Sequence, residues 1–359
     1  MSDEPVVAAE EVVVERLGRA GVLTLNRPKS INALTPGMVG ILAAALEAWR
    51  SDDEVTTVII RGAGERGLCA GGDIVALYTD AKNGDGLASA SFWRDEYALN
   101  ATIDSYPKPI VAIQDGIVLG GGIGVSAHAS HRVVTERSRL GFPEVTIGFV
   151  PDVGATWLLS RAPGELGTRL ALSAEQVQAA DAITVGFSDS FVPSRSLPDL
   201  YLALETESAN AALARFACTP PAGTLEQARD WIDEAFSADT ISEIVERLRI
   251  SSSDDAHALA EVIEAKSPTA LAVTLSSLRK ARSATSLRQA LISEFRVSRH
   301  ATTTPDFVEG IRAQVIDKDR SPRWNPSTVA QVTDGDVAAF FEPPSDGDLS
   351  FPSPPEESA

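Results

Sequence analysis

Two glycine-rich segments are the parts of this sequence best suited to binding a reacting group through the main chain. The first is Cys69-Ala70-Gly71-Gly72-Asp73, and the second is Leu119-Gly120-Gly121-Gly122. Glycine lets the backbone approach a ligand closely, and N–H groups at the start of a helix carry partial positive charge. Two such groups from separate loops can converge on one oxygen and form an oxyanion hole for a thioester carbonyl.

Two acidic residues follow in loops rich in glycine and proline. Glu144 ends Gly141-Phe142-Pro143-Glu144, and Asp152 stands in Val150-Pro151-Asp152-Val153-Gly154. A carboxylate near an oxyanion hole can act as a base or a nucleophile, and a second carboxylate can tune its pKa. Simpler interpretations remain open for each feature. A glycine pair alone is commonly a turn, Asp152 can be the cap of a helix that begins at Val153, and Glu144 can be a surface acid.

Other catalytic classes have weaker support. No Gly-x-Ser-x-Gly elbow of a serine hydrolase occurs, and residues 120–124 lack the spacing of a dinucleotide-binding loop. Cys69 has no evident base beside it and is expected to be a packed residue, as is His128. The histidines and cysteines show no metal-ligand spacing, so we expect no metal and no separate cofactor. The two cysteines cannot form a disulfide framework, which fits a reduced cytoplasmic setting.

Composition and charge limit the partners. The chain has 359 residues, of which 44% are hydrophobic and 23% charged, as in ordinary folded domains. With 31 basic and 50 acidic residues the formal charge is −19, which argues against nucleic-acid binding. No run reaches the ~20 apolar residues of a membrane helix, and the first ten residues lack a basic secretory signal. An anionic ligand would therefore need a local basic patch.

The periodicity predicts an α/β core followed by helices. Strands alternate with helices up to about residue 197, and after Pro198 the strand patterns disappear. We therefore divide the chain into a flexible N-terminus (1–9), a core domain (10–197), a helical C-terminal region (198–340) and a disordered acidic, proline-rich tail (341–359). The predicted helices include 36–50, 91–104, 200–217, 225–236, 241–248, 256–265, 268–281 and 287–298, and the segment 74–88 is interpreted as polar connection.

The motifs together resemble the crotonase (enoyl-CoA hydratase/isomerase) superfamily in order and spacing. The resemblance rests on Asn26-Arg27-Pro28 with Asn32-Ala33-Leu34, on the two glycine segments and on Phe142-Pro143-Glu144. It implies the ClpP/crotonase-like fold, a spiral of ββα units, here with a helical C-terminal region. It also assigns the oxyanion-hole amides to Gly72 and Gly121, and the catalytic glutamate to Glu144.

The sequence departs from the hydratases of this superfamily at one position. They carry a second catalytic glutamate where this chain has Gly124, and here an acid occurs instead at Asp152. The Glu144/Asp152 pair resembles the 3-hydroxyisobutyryl-CoA hydrolase branch. So do the segment Phe92 to Asn100 and the C-terminal run from Asp306 to Trp324, which ordinary hydratases lack.

This resemblance implies hydrolysis of a short 3-hydroxyacyl-CoA thioester, most simply 3-hydroxyisobutyryl-CoA in valine catabolism. Coenzyme A would enter as part of the substrate, and a homo-oligomer is expected from the family. Arg27, Lys29 and Arg66 are predicted to contact its phosphates, although all three can equally be solvated charges, and Ala70 and Asp73 are assigned to the same binding loop. The alternatives are an enoyl-CoA hydratase or isomerase of the superfamily, and a non-catalytic acyl-CoA-binding protein.

Overall fold

Two sheets form the centre of the computed structural model, which describes residues 10–351. The larger sheet has the order β1-β2-β3-β5-β7-β10 and the smaller one the order β4-β6-β8-β9. Only β1–β2 and β8–β9 pair antiparallel; the other neighbours are parallel. The strands are β1 Val12–Leu17, β2 Ala20–Leu25, β3 Thr57–Gly62, β4 Gly67–Cys69, β5 Ile110–Gln114, β6 Ile117–Leu119, β7 His131–Val134, β8 Arg139–Gly141, β9 Gln176–Val177 and β10 Ser190–Phe191.

The chain alternates between the two sheets as it advances. β3 joins the larger sheet and β4 the smaller, and the same step recurs with β5 and β6 and again with β7 and β8. Each turn of chain therefore adds one strand to each sheet, with helical connections between the first two turns. This is the spiral of ββα units predicted from the sequence, and the fold class is confirmed.

Sixteen α-helices surround these sheets within the described residues. They are α1 Pro36–Arg50, α2 Ile74–Asn83, α3 Leu87–Asp104, α4 Gly121–Gly124, α5 Ala155–Leu159, α6 Leu166–Ser173, α7 Ala179–Thr184, α8 Leu197–Leu204, α9 Ala209–Phe216, α10 Arg229–Phe236, α11 Ile241–Ile250, α12 Asp254–Glu264, α13 Pro268–Ala281, α14 Leu287–Ala301, α15 Pro305–Ile311 and α16 Asp334–Ala339. None of them is both long and apolar enough to cross a membrane.

The central strands β2, β3 and β5 of the larger sheet are largely buried on both faces, which explains why they are mostly apolar runs. Successive side chains of a strand point to opposite faces. Val111 and Ile113 accordingly pack under α8 and α9, while Ile110 and Ala112 face the main core. The main core continues without a break into α10 to α14. The helical C-terminal region therefore shares its apolar core with the strands, and the proposed boundary near residue 197 stays a prediction.

Two sequence predictions need correction. The segment 74–88 was expected to be a polar connection, but it contains α2, because Ile74, Leu77, Tyr78 and Ala81 recur at helical spacing among polar residues. The helix predicted over 200–217 is two helices, α8 and α9. The second has its own N-cap, since the Ser208 side chain accepts a hydrogen bond from the Ala211 N–H.

The predicted disordered tail is ordered over its first part. Asp348 pairs with Arg296 at 2.5 Å and Asp346 pairs with Arg299 at 2.9 Å, so acidic side chains of this segment bind basic ones on α14. Arg94 on α3 donates to the carbonyl of Asp348 at 2.7 Å, and Leu349 is buried. These ion pairs and this hydrogen bond hold residues 346–349 against α3 and α14. The rest of the predicted tail, 352–359, and the N-terminus 1–9 lie outside the described residues.

The C-terminal run noted in the sequence packs directly on the loop that carries Glu144. Helix α15 ends in one turn of π-helix, Arg312–Ile316. Arg312 fixes this turn through ion pairs with Glu309, Asp317 and Asp319 at 2.7–2.8 Å. A Cβ built on Gly310 would overlap the main-chain carbonyl of Ile147, in the turn that begins at Glu144. The two backbones therefore touch, and only glycine fits at residue 310.

We predict that Gly310→Ala destabilises the protein by about 3 kcal/mol, the upper end of the range for overpacking. The added methyl group meets main chain, which cannot move aside as a side chain can. Urea unfolding followed by circular dichroism measures the effect. Gly40→Ala is the matched control, because a Cβ there meets no atom within 4 Å in helix α1, and we expect it to be neutral or to stabilise by up to about 1 kcal/mol. Equal stability of the two variants would contradict the close backbone contact.

Candidate active site

The two glycine segments meet in space. Gly72 follows β4, and Gly121 is the first residue of α4. A Cβ built on Gly121 would lie 3.4 Å from the main-chain nitrogen of Gly72, and both glycines line one cavity of about 220 Å³. The structure thus brings together the two amides that the resemblance assigned to an oxyanion hole.

Both amides are available to a ligand. Leu34 and Gly72 form a parallel bridge in which the Leu34 N–H donates to Gly71 at 2.8 Å and the Asp73 N–H donates to Leu34 at 2.9 Å. Because these bonds use the residues on either side, the N–H of Gly72 points away from Leu34. Over residues 10–351 neither this N–H nor that of Gly121 donates to a protein acceptor. Unpaired buried amides are rare, and here two belong to residues that line the same cavity.

The cavity combines an apolar wall with three carboxyl groups. The acids are Glu96, Glu144 and Asp152, all buried. Trp93 stacks on Phe149 with ring centres 5.5 Å apart, and Phe149 packs against Phe307 of α15 at 5.3 Å. The side chains that complete the wall are Ile74, Leu77, Phe92, Trp93, Ile147, Phe149, Val153 and Val315. Val315 belongs to the π-helical turn, so the C-terminal run forms part of this wall.

Glu144 lies beside the glycine segment at the start of α4. Its Oε1 is 2.5 Å from the Cβ that would exist at Gly120, where φ is +47°, so glycine is required at residue 120 for both space and conformation. Its Oε2 is buried and has no hydrogen-bond partner in the described structure. Burial raises the pKa of Glu144 well above its usual value, and Asp152 and Glu96 raise it further. The interpretation of Glu144 as an exposed surface acid is therefore wrong.

Asp152 directs its side chain into the protein interior, where it does not cap a helix. The Tyr97 hydroxyl donates to its Oδ2 at 2.6 Å. Only the main-chain carbonyl of Asp152 serves the next helix, accepting from the Ala155 N–H at 2.8 Å. Burial raises the pKa of Asp152 to about 7, the hydrogen bond from Tyr97 lowers it, and the charge of Glu294 raises it.

Glu96 is the acid that the sequence interpretation did not assign to the site. It lies on α3, and its Oε1 is buried, unpaired and 2.6 Å from the Cβ that would exist at Gly121. Burial and the charge of Asp152 raise its pKa well above the usual value. Glu96 and Asn100 fall at i and i+4 on the stripe that also holds Phe92 and Trp93. Polar residues inside an apolar helical stripe were the signal that could have found it.

The carboxyl groups must share protons at neutral pH. Among residues 10–351 no lysine or arginine lines the cavity, so none of these lining residues compensates three buried negative charges. Like charges at close range cannot all ionise, and the raised pKa values of Glu96, Glu144 and Asp152 express this. The raised pKa values favour protonated carboxyl groups in this cavity near neutral pH, and a carboxyl group that titrates near the working pH suits general acid or general base catalysis.

Val153 and Asn100 occupy the space next to Gly124, the position at which the hydratases carry their second catalytic glutamate. A Cβ built on Gly124 would lie 2.7 Å from Cβ of Val153 and 3.1 Å from the amide nitrogen of Asn100. The residue after Asp152 thus occupies the space into which a side chain at 124 would project. The loop that supplies Asp152 and the loss of a side chain at 124 are two parts of one packing arrangement.

The predicted coenzyme A residues divide into three groups. Arg27 is already used inside the protein, with ion pairs to Glu11 and Asp73 at 3.3 Å and a hydrogen bond to the Ala33 carbonyl at 2.5 Å. The contact of Arg27 with a phosphate stays a prediction, and the ion pair gives Asp73 a structural partner. Lys29 and Arg66 are exposed and adjacent, since Arg66 donates to the Lys29 carbonyl at 3.4 Å. Ala70 lines the cavity beside Gly71.

The residues predicted to be structural are buried. Burial raises the pKa of Cys69 to about 12, so the thiolate is disfavoured. His128 bonds through Nε2 to the Val153 carbonyl at 2.8 Å, and burial lowers its pKa to about 4. Over residues 10–351 no group of three or more potential ligand side chains is arranged to hold a metal ion.

Comparisons with known proteins place these features in context. A sequence model of the enoyl-CoA hydratase/isomerase family matches residues 20–341. The Bos taurus protein named mitochondrial 3-hydroxyisobutyryl-CoA hydrolase is 41% identical over 355 residues, covering 96% of this chain and 92% of the bovine one. A crystal structure described as a carnitinyl-CoA dehydratase from Mycobacterium thermoresistibile is 50% identical with a TM-score of 0.92, covering 95% of this chain and 99% of that one. One described as an enoyl-CoA hydratase from Rhodobacter sphaeroides is 42% identical with a TM-score of 0.90, covering 95% and 100%.

We predict that Glu144→Gln increases stability at pH 7 and that the gain disappears near pH 4. The native pKa of Glu144 is raised, whereas in the unfolded chain the residue titrates near its usual value of about 4.3. Between these values the unfolded state releases a proton that the native state keeps, so stability falls as pH rises. Glutamine removes this penalty. Thermal melts from pH 4 to 8 measure it, with the exposed Glu47→Gln as control; a gain that does not depend on pH would contradict the buried acid.

Proposed function

The chain belongs to the enoyl-CoA hydratase/isomerase family, and we propose that within this family it hydrolyses 3-hydroxyisobutyryl-CoA to 3-hydroxyisobutyrate and coenzyme A. The supporting observation is the convergence of two unpaired amides, Gly72 and Gly121, with the unpaired carboxyl oxygen of Glu144 on one small cavity. Relatives about 40% identical over nearly the whole chain carry the name of this hydrolase. Valine catabolism, where this thioester would arise, is the corresponding predicted setting.

The amides of Gly72 and Gly121 would hold the thioester carbonyl oxygen. Negative charge grows on this oxygen when a nucleophile adds to the carbonyl carbon, and two preorganised donors stabilise it. Loss of one such donor typically costs ~3–4 kcal/mol of barrier, so this is a large part of the expected rate enhancement. The oxygen needs no metal ion or separate cofactor in this scheme, and coenzyme A takes part only as the leaving group.

Glu144 would act either as the general base or as the nucleophile, and each role gives a complete route to hydrolysis. As a base it takes a proton from water while the water oxygen adds to the carbonyl carbon, and the tetrahedral intermediate then collapses with cleavage of the C–S bond. As a nucleophile its carboxylate adds directly, the C–S bond breaks, and water then hydrolyses the mixed anhydride. In either route the departing sulfur needs a proton. The raised pKa values of Glu96 and Asp152 keep a protonated acid within the same cavity.

The small cavity and its acids suit a short acyl chain that carries a hydroxyl group. Phe92, Trp93 and Phe149 give the apolar wall that a methyl branch requires, and Asp152 can accept a hydrogen bond from the substrate hydroxyl. Lys29 and Arg66 stay the candidates for the coenzyme A phosphates, as the exposed basic residues beside the loop of Ala70. A homo-oligomer stays a prediction. A cytoplasmic location also stays a prediction, since the bovine and human relatives are named as mitochondrial proteins.

Water elimination or addition is the second candidate, because a specific observation favours it. The 50% identical structure is described as a dehydratase. In addition, Glu96 places a carboxyl group beside Gly121 although residue 124 has none. Two carboxyl groups across the cavity could therefore move protons at neighbouring carbons. A non-catalytic protein is the third alternative and would bind acyl-CoA without changing it.

We predict release of free coenzyme A from 3-hydroxyisobutyryl-CoA, followed with a thiol reagent, and a roughly 10²–10⁴-fold fall in kcat for Glu144→Gln. Glu47→Gln is the control for loss of a carboxylate elsewhere. Enoyl absorbance with crotonyl-CoA and with 3-hydroxyisobutyryl-CoA tests the second candidate in parallel. Double-bond change without thiol release would favour the dehydratase, and ligand binding without either change would favour the non-catalytic alternative.

Single-turnover hydrolysis in heavy-oxygen water tests direct attack by Glu144. If Glu144 attacks and water then hydrolyses the anhydride at the Glu144 carboxyl carbon, one labelled oxygen remains in Glu144, and mass spectrometry of the peptide that contains it detects the label. Label found only in the released acid would exclude that path and leave water activation or hydrolysis of the anhydride at the acyl carbon.

A further inference from the structure

Helix α14, which lies outside the strand-bearing part of the chain, reaches the candidate active site through two buried side chains. Glu294 and Ser298 are one helical turn apart and face the same way. Ser298 Oγ is 2.9 Å from the Tyr97 hydroxyl, which donates to Asp152 Oδ2 at 2.6 Å. A chain of hydrogen bonds therefore runs from α14 through α3 to the acid in the cavity.

Glu294 holds the same loop from its other end. Its carboxylate accepts from the main-chain N–H of Gly154 at 2.6 Å and from the N–H and hydroxyl of Thr156 at 2.8 and 2.6 Å. These are donors at the start of α5, which has no side-chain cap of its own. An acid from a distant helix thus takes the place of the local cap. Asp152 is fixed between this anchor and Tyr97.

We propose that Tyr97, Ser298 and Glu294 are positioning residues that aim the Asp152 carboxyl group at the substrate and set its protonation. The proposal rests on the proposed function. It makes α14 part of the catalytic apparatus, in addition to its role in packing. It also assigns Tyr97 a defined task, because Tyr97 is the only side-chain donor to Asp152 among the described residues.

Several charged and titratable groups surround Asp152, and the direction in which Tyr97 and Glu294 shift its pKa is known. Tyr97 donates to Asp152 from α3, and the pKa of Glu96 on the same helix is raised by the charge of Asp152. Glu144 lines the same cavity, and Glu294 approaches from α14. His128, which holds the Val153 carbonyl, has its pKa lowered by burial to about 4 and is neutral above that pH. Loss of the Tyr97 hydroxyl should therefore favour protonated Asp152, and loss of the Glu294 charge should favour the ionised form.

The test is the pH dependence of kcat/KM for 3-hydroxyisobutyryl-CoA in Tyr97→Phe, Ser298→Ala, the double variant and Glu294→Gln. We expect Tyr97→Phe to move the carboxyl inflection upward by about one pH unit, the effect of losing one hydrogen bond to a carboxylate. Ser298→Ala should move it less, and it should have no further effect when combined with Tyr97→Phe. Glu294→Gln should move the inflection downward and lower kcat more than it changes KM. The acids titrate together, so the inflection is assigned to the cluster as a whole.

Tyr106→Phe is the matched control, because its hydroxyl donates at 2.6 Å to the Leu46 carbonyl, away from the cavity. Its pH profile should be that of the wild type. A Tyr97→Phe profile lowered equally at every pH, or additive effects of Tyr97→Phe and Ser298→Ala, would overturn the proposal and leave only a packing role. Shifts of Tyr97→Phe and Glu294→Gln in the same direction would also overturn it.

The melting temperature of Tyr97→Phe tests the hydrogen bond to Asp152 without any measurement of catalysis. The hydrogen bond from Tyr97 favours ionised Asp152, so its contribution is present above the native pKa of about 7 and is lost below it. Tyr97→Phe should therefore lower the melting temperature more at a pH of about 8.5 than at about 5.5, on either side of that value. If the wild type fails to hydrolyse the thioester, the proposed function fails while this measurement still decides the positioning role. A loss of stability equal at both pH values would contradict it.

Discussion

Burial of several carboxyl groups around one small cavity, without a cation to neutralise them, is the constraint that organises this structure. Burying a charge is costly unless it is paired, and Glu96, Glu144 and Asp152 line the cavity with no lysine or arginine among them. Burial accordingly raises the pKa of all three acids, which favours their protonated forms. The protein must also hold each acid in place by means other than ion pairs. The glycines beside Glu144 and Glu96, the hydroxyl of Tyr97 and the capping carboxylate of Glu294 do this.

The same constraint explains the departure from the hydratase pattern at residue 124. A side chain there would collide with Val153 and Asn100. The loop from Pro151 to Gly154 therefore moves an acid into the cavity and at the same time closes the position that the hydratases use. Both changes follow from where one loop packs, so they are expected to occur together. An acid at residue 152 takes the place of one at residue 124, while Gly72 and Gly121, whose amides are proposed to bind the carbonyl oxygen, line the same cavity.

Glycine- and proline-rich motifs marked the two glycine segments, Glu144 and Asp152 as candidates, and the family resemblance assigned their roles; the structure gathers these residues on one cavity. Helices with clean periodicity, such as 36–50 and 268–281, have the predicted bounds. Residues that contact the site or its loops from distant elements of the chain are not marked by a local sequence motif. Glu96 looks like an ordinary member of its helix, because its role depends on which face of α3 meets the glycine loop. Glu294 binds Gly154 from 140 residues away, and Arg27, assigned to phosphate, is already paired with two acids. Such pairings are tertiary, and no spacing rule predicts them.

The C-terminal helices contribute directly to the candidate active site and are more than an appendage to the strand-bearing part. Val315 contributes to the cavity wall, Phe307 supports Phe149 behind it, and α15 touches the turn of Glu144 backbone to backbone. On the other side, α14 reaches Asp152 through Ser298 and Tyr97. Residues 346–349 then bind both α3 and α14 from outside. Because Glu144 and Asp152 are each supported by a helix from beyond residue 286, the strand-bearing part of the chain would hold the oxyanion amides alone, without correctly placed acids.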